Sequence, residues 1–393
     1  MDQDIQYNAA FDLTLLVATA RQSRYRIMVI LSALPSITSA SDCTSVPSTL
    51  SEKKRKNATY IPCYQILTTN SSVARTFRKM AVAKTNSNNP ITEDVVKAAA
   101  GNGESGKEIM ALLLDKWGAE IQISEDVVKA AVENRESGKE IMALLLDKRG
   151  PEIQITEDVV EAAAENRGSS KEIMALLLDR RGDEIQITED IVKAAAGNEY
   201  DGRKVIALLL DKRGPEIQIT EDVVKAAAEN RDSGKEIMAL LLDRRGDEIQ
   251  ITEDIVKAAA ENRGSSKEIM ALLLDRRGDE IQITEDIVKA AAGNEYDGRK
   301  VIALLLDKRG PEIQITEDVV KAAAGNESDG KKMMALLLDK RGAEVPISED
   351  VFKAAAGNGE SGKEIMALLL DKCGAEVQIS EDIVKVAVES TVQ

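Results

Sequence analysis

Histidine is absent from all 393 residues, and that gap removes a large block of chemistry. Ser-His-Asp triads, His-assisted cysteine nucleophiles and His-ligated metals all require an imidazole. Cysteine is almost as scarce. Cys43, Cys63 and Cys373 are too few and too scattered for a zinc site or a disulfide framework. Aromatic residues make up 3% of the chain, so each one that appears stands out against its surroundings. What is plentiful is charge, at 31% with a net value of −16, which argues against a broad nucleic-acid or anionic-membrane surface. Hydrophobic residues at 43% are enough to build a core. No enzyme activity, cofactor or metal is expected.

The internal repeat decides the architecture. Residues 91–122 read ITEDVVKAAAGNGESGKEIMALLLDKWGAEIQ, and the pattern restarts at Ile123, Ile155, Ile187, Ile219, Ile251, Ile283, Ile315 and Ile347, a period of 32 without insertion or deletion. Nine full copies cover residues 91–378, and a tenth runs from Ile379 to Gln393, about half a unit. Residues 162–228 match residues 258–324 letter for letter, so a block of three units has been duplicated as a piece. Charge follows the same division. Residues 1–90 carry 11 Lys and Arg against 5 Asp and Glu, whereas residues 91–393 carry 41 against 63. A basic, irregular leader therefore precedes an acidic array.

One unit reads as two short helices. Thr92 is a good N-cap, and Glu93 and Asp94 follow where the helix dipole favours negative charge. Val95, Val96 and the three alanines form a small-residue face, and Gly101 and Asn102 are expected to close the helix in the left-handed conformation. Asn recurs at this place in all nine copies, from Asn102 to Asn358. The second helix starts near Lys107, and its apolar run from Ile109 to Leu114 covers nearly the whole circumference, which demands cover on several sides. Gly118 is its expected stop. Most copies place Lys-Arg or Arg-Arg just before that glycine, the right sign for a helix C-terminus. The link Glu120-Ile-Gln-Ile123 alternates and reads as extended. Pro346 in one link favours a connector over a continuous β-ladder, with a short parallel strand per repeat as the alternative. A pair this short buries its apolar face only by stacking on its neighbours. The fold expected is all-α: an elongated, curved α-solenoid of nine helix-loop-helix repeats plus a terminal half repeat, residues 91–393. The leader, residues 1–90, is expected to be mostly disordered, with a helix near 11–34.

The run EIMALLLDKWGAE (residues 108–120) resembles the second helix of ankyrin repeats, and VVKAAAGN (residues 95–102) resembles their first helix. Three departures set it apart. The period is 32, the Pro, Leu and His of the ankyrin signature are missing after Thr92, and the link from Gly118 to Ser124 is too short for the usual hairpin finger. The array is more similar to the ankyrin-related short helical repeats of filamentous-fungal proteins, often attached to NACHT-type receptors. That resemblance implies a repeat scaffold. Residues 1–393 contain no nucleotide-binding receptor core.

Two motifs mimic nucleotide chemistry. Gly101 to Lys107, and again Gly357 to Lys363, fit the G-x-x-x-x-G-K spacing of a phosphate loop. The next residue is Glu108 or Glu364 instead of Ser or Thr, the segment follows a helix, and other copies break the pattern, so it reads as an inter-helix loop. Ala-Leu-Leu-Leu-Asp115 imitates a Walker B strand but lies within the second helix. The basic run from Lys53 to Lys56 reads as a solvated linker, with a nuclear signal as the other reading. The stretch Met28 to Leu34 is too short to span a bilayer.

The function expected is non-enzymatic: a scaffold for protein–protein interaction, in the cytoplasm with the nucleus as the second location, and with neither nucleic acid nor membrane as partner. The alternative is the sensor or regulatory arm of a fungal NACHT-type receptor separated from its core. The candidate partner-binding residues are Trp117, Tyr200, Tyr296, Arg149, Arg213 and Arg309. The tyrosines replace small or acidic loop residues, and Trp117 replaces the usual arginine before the glycine. The last copy stops after one helix and carries Val386 and Val388 at small positions, so self-association through the C-terminal end is also expected.

Overall fold

The computed structural model describes residues 91–118 and 120–373, together with two three-residue strands, β1 (Leu16–Ala18) and β2 (Ile27–Val29), paired antiparallel with Val17 opposite Met28. Those six residues fall inside the segment expected to be helical and are extended instead. The rest of that helix, the expected disorder of residues 35–90, the basic run at Lys53, and Val386 and Val388 lie outside the described residues.

The chain forms two compact units, Met1–Ile121 and Gln122–Gln393. The first holds α1 (Glu93–Ala100) and α2 (Gly106–Trp117), whose shared core is Val95, Val96, Ala99 and Ala100 against Ile109, Met110 and Leu113. The second holds eight further pairs: α3 (Glu125–Glu133) with α4 (Gly138–Arg149), α5 (Glu157–Glu165) with α6 (Ser170–Arg181), α7 (Glu189–Gly197) with α8 (Gly202–Arg213), α9 (Glu221–Glu229) with α10 (Gly234–Arg245), α11 (Glu253–Glu261) with α12 (Ser266–Arg277), α13 (Glu285–Gly293) with α14 (Gly298–Arg309), α15 (Glu317–Gly325) with α16 (Gly330–Arg341), and α17 (Glu349–Gly357) with α18 (Gly362–Cys373). Within this second unit first helices pack on first helices and second on second, so it is an all-α repeat solenoid.

The same residues fill every layer. In α9 and α10 they are Val223, Val224, Ala227, Ala228, Ile237, Met238, Leu241 and Leu242, and Ile249 closes the layer from the link. The alanines admit the neighbouring first helix, while Ala239 and Leu240 remain half-buried on the outer side of α10. At the start of α5, Thr156 is extended and its Oγ1 accepts the Val159 N–H at 3.4 Å, as an N-cap should. The same hydroxyl donates to Glu125 of the preceding repeat at 2.5 Å, tying one cap to the next layer.

The helix ends differ from expectation in one respect. Among the described residues neither stop uses the left-handed conformation, except at Gly342, where φ is 53°. Asn166 stays at φ −56° and closes α5 through its side chain: Oδ1 accepts the N–H groups of Gly168 and Ser169, each at 2.8 Å. That turn satisfies the loop amides without inverting the backbone. Gly182 keeps helical angles, φ −54° and ψ −38°, and leads into a 3-10 turn, Gly182–Glu184. The chain then extends, buries Ile185 and enters the next cap. Among the described residues no link forms a strand, so the connector reading holds over the per-repeat strand.

Candidate partner-binding surface

Two ladders of polar side chains join consecutive repeats, and they sort the candidate residues. The first is asparagine. Asn230 is buried, and its Nδ2 donates to the carbonyls of Ala196 and Asn198 at 2.9 and 3.0 Å, both in the previous repeat. Asn262, Asn294, Asn326 and Asn358 repeat the pair of bonds one layer on each time. The buried amide therefore satisfies its own loop and the open carbonyl end of the helix before it.

The second ladder is arginine. Arg213 donates to the carbonyls of Gly182 at 2.7 Å and Ile185 at 3.1 Å, and its guanidinium forks onto Glu216. Arg309 makes the same bonds to Gly278, Ile281 and Glu312, and Arg149 grips Glu152. The bond from each arginine, ahead of the opposing effect of burial, holds Glu216 and Glu312 below the usual carboxylate range. Arg213 and Arg309 are thus staples whose donors face inward, and Arg149 is held by Glu152. Trp117, at the end of α2, is half-buried.

The tyrosines are placed differently. Tyr200 and Tyr296 are each 58% exposed, the largest exposure of any big apolar side chain among the described residues. Both stand on loops pinned from beneath: Asn198 Oδ1 accepts the N–H groups of Tyr200 and Asp201 at 2.9 and 3.1 Å, and Asn294 does the same for Tyr296 and Asp297 at 2.9 and 3.2 Å. Lys204 locks Asp201 at 2.7 Å. The Arg263 guanidinium lies 5.9 Å from the centre of the Tyr296 ring, within cation–π range. The backbone beneath each ring is held while the ring meets solvent.

Beside Tyr200 the surface is concave. A cavity of 570 Å³ spans the third, fourth and fifth repeats, lined by Glu161, Glu165, Arg167, Asp190, Lys193 and Glu199, the last being the chain neighbour of Tyr200. Glu161 is the departure that shapes it. Its equivalents are lysines, three of which reach the aspartate of the next repeat, Lys129 to Asp158 at 3.9 Å, Lys193 to Asp222 at 3.6 Å and Lys289 to Asp318 at 3.4 Å. Glu161 faces Asp190 instead. Burial pushes its carboxyl up, and Glu165, Asp190 and Asp158 push the same way against Lys129. Glu161, Glu165 and Asp190 make no side-chain hydrogen bond or ion pair among the described residues. Nor do any three carboxylates there converge in a way that could hold a metal ion.

Ten tandem segments of the chain, residues 89–110, 112–142, 144–174, 176–205, 208–238, 240–270, 272–301, 304–334, 336–366 and 368–391, match the model of one family, described as a domain of unknown function, DUF7104. The chain belongs to the DUF7104 family. No curated protein matches it. The DUF7104 units share the period of the helix pairs, so the family description covers the ladders, the pinned loops and the cavity alike.

Sequence reasoning singled out both tyrosines and missed the cavity. The signal was there: Glu161 lies in the one full copy without lysine at this place. The inward role of the arginines was hidden because a basic residue at a helix C-terminus already has a local explanation.

Proposed function

We propose that this DUF7104 array is a non-enzymatic scaffold that docks a partner protein on the loop face carrying Tyr200 and Tyr296. The observation that carries this reading is the pair of 58% exposed rings on loops whose backbone is already hydrogen-bonded. A rigid aromatic anchor loses little conformational entropy on binding, and tyrosine is enriched among the residues that dominate interface energies. The repeats around the rings supply a regular frame, and the rings mark two positions on it. A cytoplasmic or nuclear setting belongs to the same proposal, and its support is the cysteine-poor composition usual in reducing compartments.

Retention of interacting proteins by the immobilised full chain tests the reading. Proteins held by the parent and lost from the Tyr200→Ala, Tyr296→Ala double variant, with circular dichroism unchanged, are the expected result. Identical retained sets from both chains would overturn it.

A further inference from the structure

The two tyrosine sites are an experiment the chain has already set up. Residues 162–228 and 258–324 are identical, so Tyr200 and Tyr296 sit in matching loops on matching helices. The residue just before each block differs: Glu161 stands before the first and Lys257 before the second. Among the residues that line the groove this charge reversal is the one difference; in the loop that follows, Arg231 and Asp232 beside Tyr200 are answered by Glu327 and Ser328 beside Tyr296.

That reversal carries a cost in the free protein. Glu161 and Glu165 are like charges four residues apart on α5, a spacing that destabilises a helix, whereas Lys257 and Glu261 at the same places on α11 attract. Glu161 also meets Asp190 across the repeat junction, where the sibling lysines Lys129, Lys193 and Lys289 form ion pairs. The result is a groove with three carboxylates that form no ion pair among the described residues, beside an exposed ring. A cationic side chain entering the groove relieves the repulsion while its backbone runs past Tyr200. A small metal ion does not suit it, because no three carboxylates there converge.

We propose that the groove across the third to fifth repeats, with Tyr200 on its rim, docks a lysine- or arginine-rich segment of a partner protein, and that the Tyr296 site is its weaker counterpart because Lys257 replaces Glu161. This rests on the tyrosine-docking reading above and adds to it the chemistry of the partner and a ranking of the two sites. Charge complementarity assigns the occupant: the groove offers carboxylates held in no ion pair, and Arg167 and Lys193 on its walls leave the balance negative.

The probe is a fluorescein-labelled peptide of alternating lysine and serine, titrated by anisotropy against the full chain at moderate salt. Glu161→Lys weakens binding by about fivefold or more, the scale expected when one charge pair is lost and a like-charge contact takes its place. Glu360→Lys, a reversal of equal size on an exposed residue of another repeat, changes it by less than about twofold. The decisive variant is the double exchange Glu161→Lys, Lys257→Glu, which keeps the net charge. In the parent, Tyr200→Ala weakens the peptide and Tyr296→Ala does not. In the exchanged chain the dependence passes to Tyr296. If Glu161→Lys acts no more strongly than Glu360→Lys, or if Tyr200 remains the sensitive ring after the exchange, the inference is overturned. Should the tyrosine double variant still lose its retained proteins in that case, docking survives and only the basic segment is wrong. Should the tyrosines prove irrelevant to retention, docking itself fails, whatever the peptide does.

Discussion

A single buried side chain per repeat does two jobs, and removing it exposes both. Asn230 answers the loop amides of Asp232 and Ser233 with its oxygen and the carbonyls of Ala196 and Asn198 with its nitrogen. Asn230→Ala removes this partner from the Ala196 carbonyl and from two part-buried loop amides, at about 1–3 kcal/mol for each buried group stranded, while the Asn198 carbonyl keeps the Gly202 N–H at 3.1 Å. Thermal or urea unfolding should register a clear loss of stability. Asn230→Asp should be nearly as damaging, because a carboxylate cannot donate to the two carbonyls. A fully stable Asn230→Ala chain would mean that water replaces the amide. The glycines give the opposite expectation. Gly182 has ordinary helical angles and open space where a Cβ would stand. Gly182→Ala should therefore be tolerated, or raise stability by about 0.4–1 kcal/mol through the unfolded chain. At Gly202 a Cβ would lie 2.6 Å from the Ala195 carbonyl oxygen, so Gly202→Ala should cost stability. Ser170 and Ser266 occupy the equivalent place, each with its hydroxyl bonded to a carbonyl of the helix before it, so Gly202→Ser is the milder change.

At the scale of the helix pair, most of what matters is written plainly in the repeat. The period sets the layer, the Val-Val-x-x-Ala-Ala spacing sets the buried face of the first helix, and the apolar run sets the second. These were legible because each depends on residues close in sequence. The ladders were not, because their partners lie 28 to 34 residues away and the donors already have a local explanation as caps or dipole charges. The helix stops misled for a related reason. Glycine permits a left-handed turn but does not require one, and Gly182 spends its freedom on a 3-10 turn instead. The arginine ladder also implies a pH dependence. Glu184, Glu216, Glu248, Glu280 and Glu312 each have a folded pKa below the unfolded value because an arginine bonds the carboxylate. Their contribution is present above the unfolded carboxylate pKa and is lost as pH falls through the folded one. The melting temperature should hold near neutrality and drop on acidification below about pH 4.5. Glu248→Gln should flatten part of that drop. Arg245→Lys, which cannot fork onto Glu248 while reaching Gly214 and Ile217, should destabilise by about 1–3 kcal/mol at pH 7.

For the chain as a whole, the question is where a stack of equal layers stops being equal. An internal second helix hides its last leucine between neighbours: Leu306 is 9% exposed and Leu338 4%. In α18 the equivalent residue, Leu370, is 37% exposed, and Ala367 beside it is also open to solvent. An apolar surface of this kind favours contact with another chain. Self-association that grows with concentration is the expected consequence, readable by sedimentation velocity across tens of micromolar, roughly where contacts worth about 7 kcal/mol become populated. Leu370→Lys places a charge at the centre of that surface and should return the protein to the monomer without altering its helix content. Tyr200→Ala and Tyr296→Ala, on the loop face, should leave the association untouched, which separates contact through α18 from docking along the loops. A strict monomer at these concentrations, or association that survives Leu370→Lys, would show that the exposed leucine is not the surface that pairs.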